Sequence, residues 1–512
     1  MRRSPSRWSP LLHFLDTCPC PLHCPDALTE DFDSSDLLKS PYPELLSTNT
    51  VPSDSQMPVI RETIQIAETG IARLAPRRCA ELEDFARSHR HVVSIVRRLP
   101  SEILCEIFGH CRCDEDFSPA DNAPWRIARV CGRWRKVALA LPALWNHFSF
   151  DWWSTFGATT RYATAKYVAM QLLRSGQAPL RICELNPIDQ DDEDDSDSSL
   201  ASMTSNLYLA HWRVFDVLLL ASNRWQDVTL FHRKGRFELR GEFPMLKRLT
   251  VHDTRPGRNY PINSLPVLEE LTLNGPFSAH FIDRIPWSWP RVCTLRQCYL
   301  DDALRILSQL PPGARVTIAS PLQPVVRRVV RRNPTSSSIR SLTLMAEEPI
   351  FPEADLFYYL TAPALEELDL EQVPITLYCM TIVPFLARSA CPLTRLRISV
   401  ALLETDVLGI LGSPYMDGLL TLELVRGVEL SNHSISELAS PTLLPHLRTL
   451  AVRCSSAFTE AQLLAMVAAR RPILQSLHLE SDRSRGEWVP SQNLFRTLRV
   501  NGVQVTQTLL SC

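Results

Sequence analysis

The chain has 512 residues, 45% of them hydrophobic and 21% charged, an ordinary globular balance in a length that calls for two or more domains. Its net charge of −2 conceals seven acidic side chains between Asp189 and Asp197, and the +5 left for the remainder is too little for a dedicated nucleic-acid binder. Only 16 glycines occur, with no G-x-G and no G-x-x-x-x-G-K, which excludes the glycine loops that cradle phosphate.

The fifteen cysteines are mostly solitary, and Cys105, Cys131 and Cys379 sit in apolar runs where a free thiol behaves as a small hydrophobe. No apolar stretch reaches the roughly 20 residues of a membrane span. Met1-Arg2-Arg3 is followed by Pro5, Trp8 and Pro10 rather than by a continuous apolar segment, so no secretory signal is expected. The expectation is a reduced protein of the cytoplasm and/or nucleus, with no membrane partner.

In chain order, residues 1–52 mix Pro, Ser, Cys and Asp without a period and read as a disordered tail. Cys18, Cys20 and Cys24 have no tetrahedral spacing with His13 or His23, so no metal or cofactor is expected there. Residues 53–97 read as a helical segment. Ile60, Ile64, Ile71 and Leu74 share one stripe up to Pro76, and Leu82, Phe85, His89, Val92 and Val93 form a second. Two such short pieces fit a helical hairpin better than a coiled coil.

Residues 98–150 are more informative. Pro100 suits the first helical position, Glu102 suits the first turn, and Ile103, Leu104, Ile107 and Phe108 make an apolar stripe. After a polar loop, Ile127, Val130, Cys131, Trp134, Val137 and Ala138 continue at helical steps to Pro142, and Leu144-Trp145 closes the block. About fifty residues cannot bury this much apolar surface among themselves. Either the rest of the chain or a partner covers one face.

Leu99-Pro100-x-Glu102-Ile103-Leu104-x-x-Ile107-Phe108, Val130-Cys131-x-x-Trp134 and Leu144-Trp145 together resemble an F-box. The lead-in from Leu45 to Asp54 and the upstream helices resemble the large fungal F-box-like family, although the loop from Gly109 to Pro124 is longer than in the compact form. The resemblance implies docking onto the Skp adaptor of a cullin-RING ubiquitin ligase. By position, it implies adaptor-facing roles for Leu99, Pro100, Ile103, Leu104, Ile107, Val130, Cys131 and Trp134. His110, Cys111 and Cys113 lack a fourth ligand at metal spacing, so no metal is expected there either.

Residues 151–224 read as a linker whose acidic run is a solvated loop. From residue 225 to 512 an L-x-x-L-x-L pattern recurs, beginning at Leu246, Leu268, Ile339, Leu365, Leu393, Leu419, Leu447 and Leu474. Degenerate copies fall at Trp225, Val292, near Gly313 and at Phe495. The period is that of leucine-rich repeats, one short strand and one helix per unit, stacked because no unit buries its own apolar side. The expected fold class is therefore α/β, an all-helical F-box region followed by an irregular leucine-rich-repeat solenoid.

Residues between the leucines belong on the other face of the strands. Glu367, Asp369 and Glu371 make an acidic rung beside Arg395 and Arg397, close enough to neutralise each other. The run Val325–Arg332 reads as a helix with one basic face, and no aromatic platform accompanies it for nucleic acid. Lysine is scarce: Lys39, Lys136, Lys166, Lys234 and Lys247 stand against 49 arginines, and none follows Lys247.

No G-x-S-x-G, H-E-x-x-H or C-x-x-C marks an enzyme. Two readings are left. One is a non-catalytic receptor that docks the adaptor, and through it cullin, and presents an unknown protein target. The other is a leucine-rich-repeat scaffold with no ligase role.

Overall fold

The computed structural model describes residues 39–73, 76–111, 123–150, 161–184, 214–232, 241–253, 265–277, 282–283, 285–319, 334–345, 353–371, 378–400, 402–425, 428, 430–454, 457–482, 489–500 and 502–510. The cysteine cluster at 18–24, Leu74, Cys113, the acidic run and the run 325–332 lie outside them. Contacts divide the chain into two compact units. The helical unit extends to Trp145 and includes Arg174–Gly176, and the sheet unit begins at Asn146.

The helical unit contains α1 (Pro43–Ser47), α2 (Gln56–Arg73), α3 (Pro76–Val93), α4 (Ile95–Arg98), α5 (Ser101–His110), α6 (Ala123–Val130) and α7 (Gly132–Leu139). A reciprocal capping box starts α2: the Ser53 hydroxyl accepts from the Gln56 N–H at 3.3 Å, and the Gln56 side-chain oxygen accepts from the Ser53 N–H at 2.8 Å. The two long helices form a hairpin. Ile60 and Ile64 pack with Val92 and Leu45, and Ala67 packs with Leu82 and Ala86.

The tail expected over residues 1–52 includes packed chain. Leu45 on α1 is buried in the hairpin core, and the Ser40 hydroxyl lies 2.9 Å from Nε2 of the buried His89. Chain from Ser40 onward is thus held by packing and a buried hydrogen bond. At the other end of the unit, Trp145 is fully buried, donates from Nε1 to the Ala138 carbonyl at 2.7 Å, and meets Trp125 edge-on at 5.2 Å. The Arg174 guanidinium stacks on both rings at 4.3 and 4.5 Å.

The sheet unit opens with β1 (His147–Phe150), α8 (Arg161–Arg174) and β2 (Leu180–Glu184). It continues with β3 (Trp225–His232), β4 (Arg248–Asp253), β5 (Glu270–Asn274), β6 (Val292–Arg296), α9 (Leu300–Leu307) and β7 (Arg315–Ala319). Next come β8 (Thr335–Ser336), β9 (Ser341–Met345), α10 (Glu353–Tyr359), β10 (Leu360–Thr361), β11 (Glu367–Glu371), α11 (Tyr378–Ser389), β12 (Arg395–Ser399) and α12 (Glu404–Leu411). The last are β13 (Thr421–Leu424), α13 (Asn432–Ala439), β14 (Thr449–Arg453), α14 (Glu460–Ala469), β15 (Ser476–Asp482), α15 (Gln492–Val500) and β16 (Gln504–Leu510).

Among the described residues, fourteen of these strands form one sheet in the order β1 to β7, β9 and β11 to β16, and β8 pairs with β10 apart from it. Every strand pairing among the described residues is parallel, from Phe148 beside Ile182 to Leu479 beside Gln507. The architecture is therefore mixed α/β, with helices first and a long parallel sheet after them. No helix among the described residues is long and apolar enough to cross a membrane.

The apolar alternation explains the sheet. In all eight full copies of the repeat, none of the three apolar positions is more than 3% exposed. One continuous core runs from Phe148 to Val503. The opposite face is polar, and Thr229, Thr250, Thr272, Thr294, Thr317 and Thr343 stand in register on six successive strands. Truncation after Val400 should therefore uncover the Leu396 and Ile398 layer and cause aggregation. A fragment of residues 1–400 that stays monomeric by light scattering would contradict a continuous stack.

Two expectations about this region need correction. The linker expected at 151–224 contains α8 and β2, and β2 pairs with both β1 and β3. Its strand is short, and only Leu180 and Ile182 mark the buried side. The copy expected at Phe495 is no strand either. It lies in α15, where Leu494 and Leu498 are buried four residues apart, and the strand follows at Gln504.

Polar groups tie neighbouring repeats together. Glu404 Oε1 in α12 accepts from the N–H groups of Ser431 and Ser434, both at 3.1 Å, and from their two hydroxyls. Burial pushes this carboxyl upward, and the four hydrogen bonds outweigh it and hold the group below its usual range. Glu460 treats Ser491 in the same way at 2.8 Å, so an acid in one helix caps the start of the next.

Candidate functional site

Helix α5 begins at Ser101, one residue after the proline expected at its first position. Pro100 occupies the cap, and its carbonyl accepts from the Leu104 N–H at 3.1 Å. Four residues apart, Leu104 and Phe108 are both 0% exposed, whereas Ile103 and Ile107, also four apart, are 47% and 41% exposed. A single helix thus carries two apolar stripes about 100° apart, one spent on the unit's own core and one left facing outward.

That arrangement corrects one of the eight expected docking residues. Leu104 is interior and has no surface to offer a partner. Pro100, Ile103, Ile107 and Val130 are exposed, and Leu99, Cys131 and Trp134 are half-buried. The Trp134 ring rests on Phe108, with centroids 5.0 Å apart, and so bridges the interior and the surface.

The second helix of the block is also two helices. Cys131 is extended, with φ −162° and ψ 169°, and its sulfur accepts from the Trp134 N–H at 3.4 Å as the cap of α7. Val130 is left at the exposed end of α6, 60% accessible. Arg133 locks the junction by donating to the carbonyls of Arg97, at 2.6 Å, and Leu99. The Arg97 guanidinium in turn donates to the Leu45 carbonyl at 3.0 Å, and its pKa is lowered by burial.

A groove of about 520 Å³ opens beside this junction, and Val96, Val130, Cys131, Trp134, Leu46 and Val92 are among its lining residues. It gathers three of the eight expected residues; Ile103 and Ile107 do not line it. Ile95, Val96 and Leu139 are exposed apolar side chains that motif reading passed over. Carrying the apolar stripe upstream of Leu99 and downstream of Trp134 would have found them. Arg126, Arg129, Arg135 and Lys136 are exposed around Val130 and Leu139, and residues 123–150 contain no acidic side chain.

Residues 96–151 match the F-box-like family model. All eight expected docking residues lie inside the F-box-like domain so defined, as do α5, α6, α7 and all of α4 but Ile95. No curated protein matches the chain.

The polar face of the sheet shows a different chemistry. Arg397 reaches Asp369 at 3.2 Å, Glu371 at 2.5 Å and Glu423 at 3.5 Å, and Arg395 pairs with Glu423 at 2.8 Å. The acidic and basic rungs neutralise each other across adjacent strands. Burial raises the Asp369 carboxyl above its usual range, against the pull of Arg397. Among the described residues no three His, Cys, Asp or Glu side chains gather as a metal site.

Proposed function

We propose that this chain is a non-catalytic substrate receptor of the fungal F-box-like kind. Its F-box-like domain docks the Skp adaptor of a cullin-RING ubiquitin ligase, and its sheet unit, a leucine-rich-repeat solenoid, holds a protein target for ubiquitination in the cytoplasm and/or nucleus. One observation carries the reading: Ile103 and Ile107 stay exposed on a helix whose other apolar stripe already fills the core. A scaffold in which this block served only internal packing would bury both stripes, because exposed isoleucine gains nothing from folding.

The test is copurification of a Skp adaptor with the full chain. Replacing Ile103 and Ile107 together with Asp puts two carboxylates where the apolar contact is proposed. Adaptor affinity should fall on the order of 100-fold or more with the helical signal of the unbound chain retained. Undiminished capture by the double variant would remove the receptor reading and leave the scaffold.

A further inference from the structure

The receptor reading raises a question that its geometry poses directly. A ligase works on a bound target by effective concentration, and that concentration acts on any amine near the target, including amines of the receptor itself. In the transfer a lysine Nζ attacks the ubiquitin thioester on the conjugating enzyme that the RING subunit holds. An isopeptide bond forms, the thioester C–S bond breaks, the amine gives up its proton and the conjugating enzyme regains its thiol. Arginine keeps a positive charge at the same surface but is not an acceptor in this step.

The sequence divides sharply on this chemistry. Through Lys247 there are five lysines and 24 arginines; after it there are 25 arginines and no lysine. All strands from β4 to β16 follow Lys247. Packing does not require the exclusion. Lys247 and Arg340 each stand one residue before a strand, and each pairs with a glutamate one strand along, Glu269 at 3.0 Å and Glu366 at 2.8 Å. The same structural place is thus filled once by an amine and once by a guanidinium. Arg315 on β7 and Arg448 before β14 are exposed, with no ion pair recorded for either among the described residues, so nothing there demands a forked donor.

We propose that the chain confines ubiquitin acceptance to its first 247 residues, so that a target lying against β4 to β16 is the only source of amines on that surface. The receptor would then survive successive transfers while its target is consumed. This rests on the receptor reading above, and the two stand or fall by different measurements.

The experiment uses the full chain assembled with adaptor, cullin, RING subunit and a ubiquitin-charging system, without target. Self-modification is followed over time, and acceptor sites are mapped by mass spectrometry. The unaltered chain should accept ubiquitin only at Lys39, Lys136, Lys166, Lys234, Lys247 or the N-terminal amine. A chain carrying Arg315→Lys and Arg448→Lys keeps its charge and fold, checked by its melting curve. It should gain both new sites and be modified at least about threefold faster, as expected for amines brought into the ligase's effective concentration. Unmodified lysines at 315 and 448, or a rate equal to that of the unaltered chain, would overturn the proposal. Failure of the adaptor to copurify with the unaltered chain would instead overturn the receptor reading, and this proposal with it.

Discussion

Replacing Arg470 with Met should destabilise the sheet unit by about 3–5 kcal/mol, among the largest effects available from a single side chain outside the apolar core. Arg470 is 3% exposed and, among the described residues, has no carboxylate partner. Its guanidinium donates to four backbone carbonyls: from Nε to Leu438 at 2.5 Å, from Nη1 to Leu444 at 2.7 Å, and from Nη2 to Ser440 at 2.9 Å and to Leu443. Leu438 and Ser440 lie at the C-terminal end of α13, where the helix dipole is negative and unpaired carbonyls collect.

Burial lowers the pKa of Arg470 from the ordinary arginine value, the expected direction for a cation held by dipoles alone. Met preserves the apolar stem but leaves those carbonyls without donors in a dry site, and each such loss costs about 1–3 kcal/mol. Part of this is offset because a charge no longer has to be desolvated. Lys should recover only part of the loss, since one ammonium cannot reach carbonyls spread over residues 438–444. Urea denaturation of the full chain, followed by tryptophan fluorescence and circular dichroism, measures the difference. A loss below about 1 kcal/mol for Arg470→Met would mean that water replaces the guanidinium and that the clamp is dispensable.

Arg470 was not legible in the sequence, and the reason is instructive. Its four acceptors are backbone carbonyls, which carry no side-chain signature, and the nearest is 26 residues away along the chain. The strands were legible for the opposite reason. Leucine at every second position leaves only one pleat register that buries both side chains, and the eight full copies fell on strands accordingly. Where the repeat degenerates the two periods compete. Leu494 and Leu498 satisfy a helical spacing better than a strand's, and the unit around Phe495 is helical for that reason. At Cys131 one extended residue turns the chain between α6 and α7. The apolar steps on either side still look continuous, because a break of one residue leaves the spacing of the others unchanged.

Leu104→Asp and Ile103→Asp, adjacent substitutions of similar chemistry, should have opposite consequences, and the pair tests the reading of α5 more sharply than either alone. At Leu104 the side chain is fully buried, so the change forfeits about 3 kcal/mol of apolar burial and puts a carboxylate into the core at a further cost of several kcal/mol. That sum approaches the whole stability of a small domain, about 5–15 kcal/mol. The helical unit should lose its protease resistance around α5 and its adaptor capture together. At Ile103 roughly half of the side chain already meets water, and its new carboxylate stays solvated. Folding should be weakened by no more than about 1 kcal/mol, while adaptor binding drops because the carboxylate would have to be buried only in the complex. Spacing put both residues on one apolar stripe, and the F-box resemblance implied that both face the adaptor; burial separates them, since a step of one residue turns a helix by about 100°. Limited proteolysis with adaptor capture on the same samples reads both effects. Equal loss of folding in the two variants would show that Ile103 belongs to the core, and equal retention of folding would show that Leu104 does not.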